Sequence, residues 1–234
     1  EGPDGAVYLT RLLTWLPGTL LSQVRPQAPE IWESLGAYLG GMDRVLEDFS
    51  HPAQDRELKW DLKAAGRMVR SHLSLVQGAT RRSLLEEMAA RFLERLGPLV
   101  PELRMSVIHA DANDHNVLVA PLKAGDNPRS RRVVAVVDFG DAVRSYTVGE
   151  AAIAAAHTML GKGDPLAVAA RVVAGFHRSF PLREAEVAAL FPLAGLRLCA
   201  SVAISAHQKG REPADPFLNV SEAPAWALLE RLKR

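Results

Sequence analysis

The chain is predicted to be an α+β protein: a mainly helical lobe with a small β insert that carries its polar chemistry. Three observations predict this. Apolar residues recur at three- and four-residue steps over most of the chain, as in Ile31, Leu35, Leu39, Met42 and Leu46, which places them on one face of a helix. Two β-branched runs, Val117 to Val119 and Val133 to Val137, break that period and read as short buried strands. Polar groups gather where those strands end, with His109, Asp111, Asn113, Asp114, His115 and Asn116 in one connection and Asp138 and Asp141 after the second strand.

The elements follow in order. Residues 7 to 16, V-Y-L-T-R-L-L-T-W-L, are rich in β-formers and stop at Pro17-Gly18, the pattern of a strand and turn. A helix is expected from Pro29 to near Phe49, with Pro29 and Glu30 suited to its first turn. Helices follow over Leu58 to Val76 and Thr80 to Leu96, with Thr80 and Ser83 as candidate caps after Gly78. Lys123 to Arg132 is a charged turn between the two strands. Further helices are expected over Thr147 to Leu160, Pro165 to Phe180, Glu184 to Gln208 with a kink at Pro192, and Ser221 to Lys233.

Composition narrows the function classes. The 28 Lys and Arg nearly balance the 27 Asp and Glu, so neither nucleic acid nor an acidic membrane is the expected partner. The single cysteine, Cys199, lies in the apolar run L-R-L-C-A-S-V-A and reads as a small buried hydrophobe. No uncharged span reaches transmembrane length and no signal sequence is recognisable, which makes a cytoplasmic location the expectation.

The polar cluster has a spacing with a chemical meaning. Oxygen donors at the ends of adjacent strands suit a hard cation such as Mg2+, which is held by one or two carboxylates together with substrate phosphates. H-x-D-x-x-x-x-N followed by D-F-G is the catalytic-loop and metal-loop pair of protein kinases. His109, Asp111 and Asn116 fill the first pattern, and Asp138, Phe139 and Gly140 the second. Ala110 stands where protein kinases carry arginine, and the text H-A-D-A-N-D-H-N-V-L-V with D-F-G-D-A more closely resembles the aminoglycoside phosphotransferase and choline kinase superfamily. The late segments D-F-G-D-A-V-R-S-Y-T-V-G-E and N-V-S-E-A-P-A-W look closer to its hydroxylysine kinase-like branch, in which the kinase is sometimes joined to an aminotransferase.

That resemblance implies a protein-kinase-like fold, an ATP-dependent transfer of the γ-phosphate to a hydroxyl of a small molecule, and Mg2+ as the cofactor, with GTP an open alternative donor. It implies Asp111 as the catalytic carboxylate, with His109 bracing the catalytic loop, and Asn116 and Asp138 as metal ligands. Asp141, Asp114 and Glu222 become candidates for substrate contact, with Glu150 and Trp226 as further candidates for holding an ammonium. R-L-L-T-W-L-P-G-T looks like the inter-lobe hinge, so residues 1–18 are expected as hinge strand and turn, with Arg11, Leu12 and Leu13 meeting the nucleotide, and 19–234 as the helical lobe. Kinases also need a glycine-rich loop and a lysine on an N-terminal sheet. No stretch before Val7 provides them, so the N-terminal nucleotide lobe is expected to be absent, the chain to be inactive by itself, and the parent protein to carry that lobe and possibly fused domains. Two other readings remain: a non-catalytic regulatory lobe, and a metal-dependent hydrolase built on His109, Asp111, His115 and Asp138.

Overall fold

The computed structural model describes residues 5–8, 10, 12–121, 130–211 and 222–233. Seven α-helices and five short strands are formed among them: β1 (Thr19–Leu20), α1 (Pro29–Leu46), α2 (Ala65–His72), α3 (Ala79–Leu96), β2 (Met105–Ile108), β3 (Val117–Pro121), β4 (Arg131–Val136), β5 (Val143–Tyr146), α4 (Val148–Met159), α5 (Pro165–Ser179), α6 (Glu184–Arg211) and α7 (Glu222–Lys233). The strands make two small antiparallel sheets, β1-β3-β4 and β2-β5.

Helix α6 is the axis of the molecule, with α2, α3, α4 and α7 packed around it. Most of its apolar length is buried inside the protein, which accounts for a helix long and apolar enough to cross a membrane. Leu193, Leu196, Cys199, Val202 and Ala203 are all fully or almost fully buried. Each large aliphatic side chain so covered contributes about 1.5–3 kcal/mol relative to exposure. Pro192 lies within this helix.

On one flank α1 and α5 cross at backbone contact. A Cβ on Gly36 would come within 1.8 Å of the Val172 carbonyl oxygen, and one on Gly175 within 2.0 Å of the Glu33 carbonyl oxygen. Only glycine fits at either position, and the two helices are locked at that separation.

The sheets place the site. Pairing of Val117 with Val136 brings the start of β3 beside the end of β4, and the Val137 amide donates to the Asn116 carbonyl at 2.9 Å. The β2-β5 hairpin-like pair, Met105 with Tyr146 through Ile108 with Val143, delivers residue 109 to the same edge and residue 148 to the start of α4.

Several expectations are corrected. The strand expected over residues 7 to 16 is not formed among the described residues; the first strand is Thr19–Leu20, paired with Val119 and Leu118. Residues 12–16 instead run exposed and without regular structure, because they have no partner strand to take their backbone hydrogen bonds. Thr80 and Ser83 do not cap α3, which starts after Gly78 at φ +88° with no side-chain cap. The helix expected over Leu58 to Val76 shortens to α2 between two 3₁₀ turns, Leu62–Ala64 and Leu73–Leu75. The turn proposed over Lys123 to Arg132 lies mostly outside the described residues, with Arg131 and Arg132 already in β4.

Candidate active site

The candidate catalytic loop runs from His109 to Asn116, between β2 and β3. Its geometry is fixed from behind. The buried His109 ring accepts from the Asp111 amide at Nδ1 (3.3 Å), which leaves Nε2 as the donor to the Val137 carbonyl at 2.9 Å. Both ring nitrogens are thereby engaged with backbone, so His109 braces the loop and is not free to bind a metal. This removes one ligand of the hydrolase alternative. Phe139 stacks edge-on against the same ring, with centroids 4.9 Å apart.

Ala110 adopts φ +66°, a conformation that costs a non-glycine residue about 1–2 kcal/mol. Its amide is held at 3.0 Å by Glu150 Oε2, from the first turn of α4. Glu150 is fully buried, and burial above all raises its carboxyl above the ordinary value. It therefore anchors the loop rather than facing substrate, which corrects the expectation that it holds a ligand ammonium.

Asp111 sits at the centre. Its Oδ2 accepts from the side-chain amides of Asn116 (2.8 Å) and Asn113 (2.9 Å), and its Oδ1 from Arg197 Nη2 at 3.1 Å. Burial pushes its carboxyl above the usual range; Arg197 and Asn113 pull the other way, and Asp141 adds to the rise. A carboxylate in this setting is oriented by three donors yet keeps appreciable basicity.

Asn116 spends its amide nitrogen on the side chain and carbonyl of Asp111, at 2.8 and 3.0 Å, which turns its amide oxygen the other way. Asp138 follows β4 at φ +63°, with Oδ1 accepting from the Gly140 amide at 3.0 Å. An amide oxygen and an exposed carboxylate on neighbouring strand ends are the hard donors a magnesium ion takes, and they leave positions for phosphate and water. The residues present thus fit Mg2+.

Asp111 also lines a cavity of about 570 Å3, within the range of small-molecule sites of about 300–1,000 Å3. Trp32, Trp60, Asp114, His157, Lys162 and Arg197 are among its walls, whereas Asn116 and Asp138 are not. Arg197 is 3 % exposed, lies over the Trp60 ring at 4.7 Å and donates to the Trp60 carbonyl at 3.2 Å. Burial lowers its own pKa, with Asp111 foremost in opposing that. His157, 3.4 Å from Arg197, is driven down to about 3 by burial and by that guanidinium, and so is neutral.

The remaining candidates divide. Asp114 lines the cavity. Asp141 does not, although it is near enough to raise Asp111. Glu222 lies elsewhere, bound by Ser205 (2.8 Å), Trp226 (3.3 Å) and Lys209 (2.5 Å), with Trp226 beside it in a separate cavity of about 400 Å3. The expected substrate contact from Glu222 and Trp226 is thus replaced by an internal ion pair. Leu12 and Leu13 are exposed and form no part of the cavity, and Arg11 lies outside the described residues. Sequence reasoning missed Arg197 altogether, although an arginine inside L-R-L-C-A-S-V-A carried a signal: arginine is almost never fully buried unless paired.

A family model described as the phosphotransferase enzyme family, APH, matches residues 2–189. The chain belongs to this phosphotransferase family. Hydroxylysine kinase from Mus musculus is 28% identical over 230 residues, covering 96% of this chain and 61% of that protein. The Danio rerio hydroxylysine kinase is 29% identical, over 97% of this chain and 63% of its own length. The chain thus spans about three-fifths of the length of the curated relatives it matches. Among solved phosphotransferase-family folds, a microcompartment-associated aminopropanol kinase superposes with TM-score 0.64 at 22% identity, covering 88% of this chain and 63% of that one. An aminoglycoside phosphotransferase from Alicyclobacillus acidocaldarius gives TM-score 0.57 at 16% identity, over 94% and 69%. These likenesses show the mainly helical α+β fold to be that of the kinase-like phosphotransferases.

Proposed function

We propose that this chain is the acceptor-binding and catalytic part of an ATP-dependent kinase that phosphorylates a hydroxyl of a small molecule, of the amino alcohol, hydroxy amino acid or aminoglycoside type. One observation carries the reading: Asp111 lines a cavity of small-molecule size and is hydrogen-bonded to Asn116, which strand pairing sets beside the end of β4 that Asp138 follows. An acceptor hydroxyl in the cavity donates its hydrogen bond to the Asp111 carboxylate, which aligns the oxygen on the γ-phosphorus. As the new oxygen–phosphorus bond forms and the bond to the leaving ADP breaks, Asp111 receives the proton. Arg197 holds the carboxylate in place and favours its ionised form before the transfer. Asn116 and Asp138 would hold Mg2+, which neutralises charge developing on the transferred phosphoryl group.

The loop and lysine that cradle the nucleotide phosphates in kinases are assigned to a lobe that the described residues do not include. Exposed Leu12, Trp15 at 87 % and Phe139 at 51 % support this, since such a lobe would cover them. Turnover by the isolated 234-residue chain is accordingly expected to be weak. The proposed compartment is the cytoplasm, where ATP is at hand and the buried Cys199 stays reduced.

The test is ADP release by the full-length protein with ATP or GTP against a panel of the three acceptor types. Acceptor-dependent turnover is expected, with Asp111→Ala lowering it by about 10²–10⁴-fold, the usual worth of a positioned base, at unchanged circular dichroism. Turnover that survives the substitution, or none with any hydroxyl acceptor, would overturn the reading.

A further inference from the structure

Among the described residues, the wall of the cavity carries two cations, Arg25 and Lys162, that form no ion pair. Lys162 Nζ donates to Gln27 Oε1 at 2.6 Å and stands 4.9 Å over the Trp32 ring. Arg25 Nη1 donates to the Val24 carbonyl at 2.6 Å. Both line the cavity, and among the described residues neither has a carboxylate within ion-pair distance. They are close enough that, after burial, the Arg25 charge is the main cause holding the Lys162 ammonium below its ordinary value. Like charges brought together at the edge of a cavity repel unless an anion joins them. The nucleotide phosphates do not supply that anion, because Asn116 and Asp138 lie outside this cavity. Asp114 lines the same cavity and favours the charged form of Lys162, which places a carboxylate next to the cation pair.

We propose that Arg25 and Lys162 bind a carboxylate on the acceptor, with Asp114 taking the adjacent ammonium, so that the pocket selects hydroxylated α-amino acids over amino alcohols and aminoglycosides. The inference rests on the kinase reading above and makes it more specific: the head group is read by Arg25, Lys162 and Asp114 while the hydroxyl is presented to Asp111 in the same cavity. A planar guanidinium and an ammonium are the donors that carboxylates take. A polycationic aminoglycoside would meet two positive charges there instead.

A matched pair of acceptors isolates the carboxylate: hydroxylysine and its carboxamide, which keeps the amine and the hydroxyl. Steady-state kinetics on the full-length protein should favour the acid by at least about tenfold in kcat/KM, carried by KM, since a hydrogen bond to a charged group is worth that much. In the Arg25→Gln/Lys162→Gln double variant the preference should fall below about threefold, with Lys162→Arg retaining most of it. Asp114→Asn should weaken acid and amide alike, because both carry the amine. Equal use of acid and amide by the wild type, or an undiminished preference in the double variant, would overturn the proposal while leaving the kinase assignment intact. Should no acceptor be phosphorylated, titration calorimetry of the same pair still decides: tighter binding of the acid that the double variant loses upholds the anion site, and equal binding refutes it.

Discussion

The two sides of Asp111 are built differently. On the side of Asn116 and Asp138 the functional groups are consecutive in the chain or joined by one strand pairing, and they face outward, with Asp138 and Phe139 exposed. On the cavity side they arrive from the segment before α1, the loop after α4 and the middle of α6, and Arg197 is almost wholly buried. The difference teaches where chemistry and selectivity reside. The side proposed for metal and phosphate is a compact loop pair, whereas the side proposed for the acceptor is an assembly whose shape depends on how the helices pack.

Replacing Asp138 should break the exposed side with the largest effect. Asp138→Ala removes the anionic ligand proposed for Mg2+ and is expected to lower kcat by about 10³-fold, a loss of several kcal/mol of charge stabilisation. Thermal stability should hold or fall slightly, since the residue at φ +63° loses its bond to the Gly140 amide and alanine accepts the left-handed conformation less readily than aspartate. An unchanged kcat together with an unchanged dependence on magnesium concentration would place the metal elsewhere.

Arg197→Met sharpens the cavity side. Without the guanidinium the Asp111 carboxyl, already raised by burial, rises further, because the cation is the chief influence pulling it down. The acid limb of kcat/KM against pH should therefore move to higher pH, so that activity on that limb falls while the plateau above it is kept. An unmoved limb would detach Arg197 from the base.

The smallest effect is expected behind the loop. Asp43, in α1, is 0 % exposed, and both its oxygens lack hydrogen-bond partners among the described residues. Burial first, and Glu150 second, raise its carboxyl well above the ordinary value. The folded chain thus holds a proton that the unfolded chain releases above about pH 3.9. Stability is full below that pH and declines as pH climbs toward the raised folded value. Asp43→Asn should flatten this decline and raise Tm near pH 8 by about 2–4 °C for each kcal/mol recovered. Melting curves across pH that keep their slope would refute it.

The same asymmetry decides what could be read from the sequence. Asp111, Asn116 and Asp138 were legible because one loop and one strand pairing bring them together, so linear spacing is nearly spatial spacing. Arg197, Trp60, Lys162 and Arg25 were not, since only the packing of separate segments brings them to one cavity. Apart from α2, the helices were legible to within a few residues, α1, α4 and α5 among them. Strands were harder. M-S-V-I and V-R-S-Y in β2 and β5 are four residues each, too short for a period, and V-Y-L-T near residue 7 has strand composition but no partner among the described residues. Glu222 entered through the resemblance of N-V-S-E-A-P-A-W alone, and no local motif told that it would be ion-paired with Lys209 outside the Asp111 cavity.

The Gly36 and Gly175 contact sets a limit on how this pocket could change in evolution. Trp32 stands one turn before Gly36, on a helix whose main chain already rests on that of α5. That wall has nowhere to retreat, since main chain, unlike a side chain, cannot be trimmed. A descendant enzyme adopting a bulkier acceptor would have to rebuild the two connecting segments that carry Arg25 and Lys162, leaving the helical frame as it is.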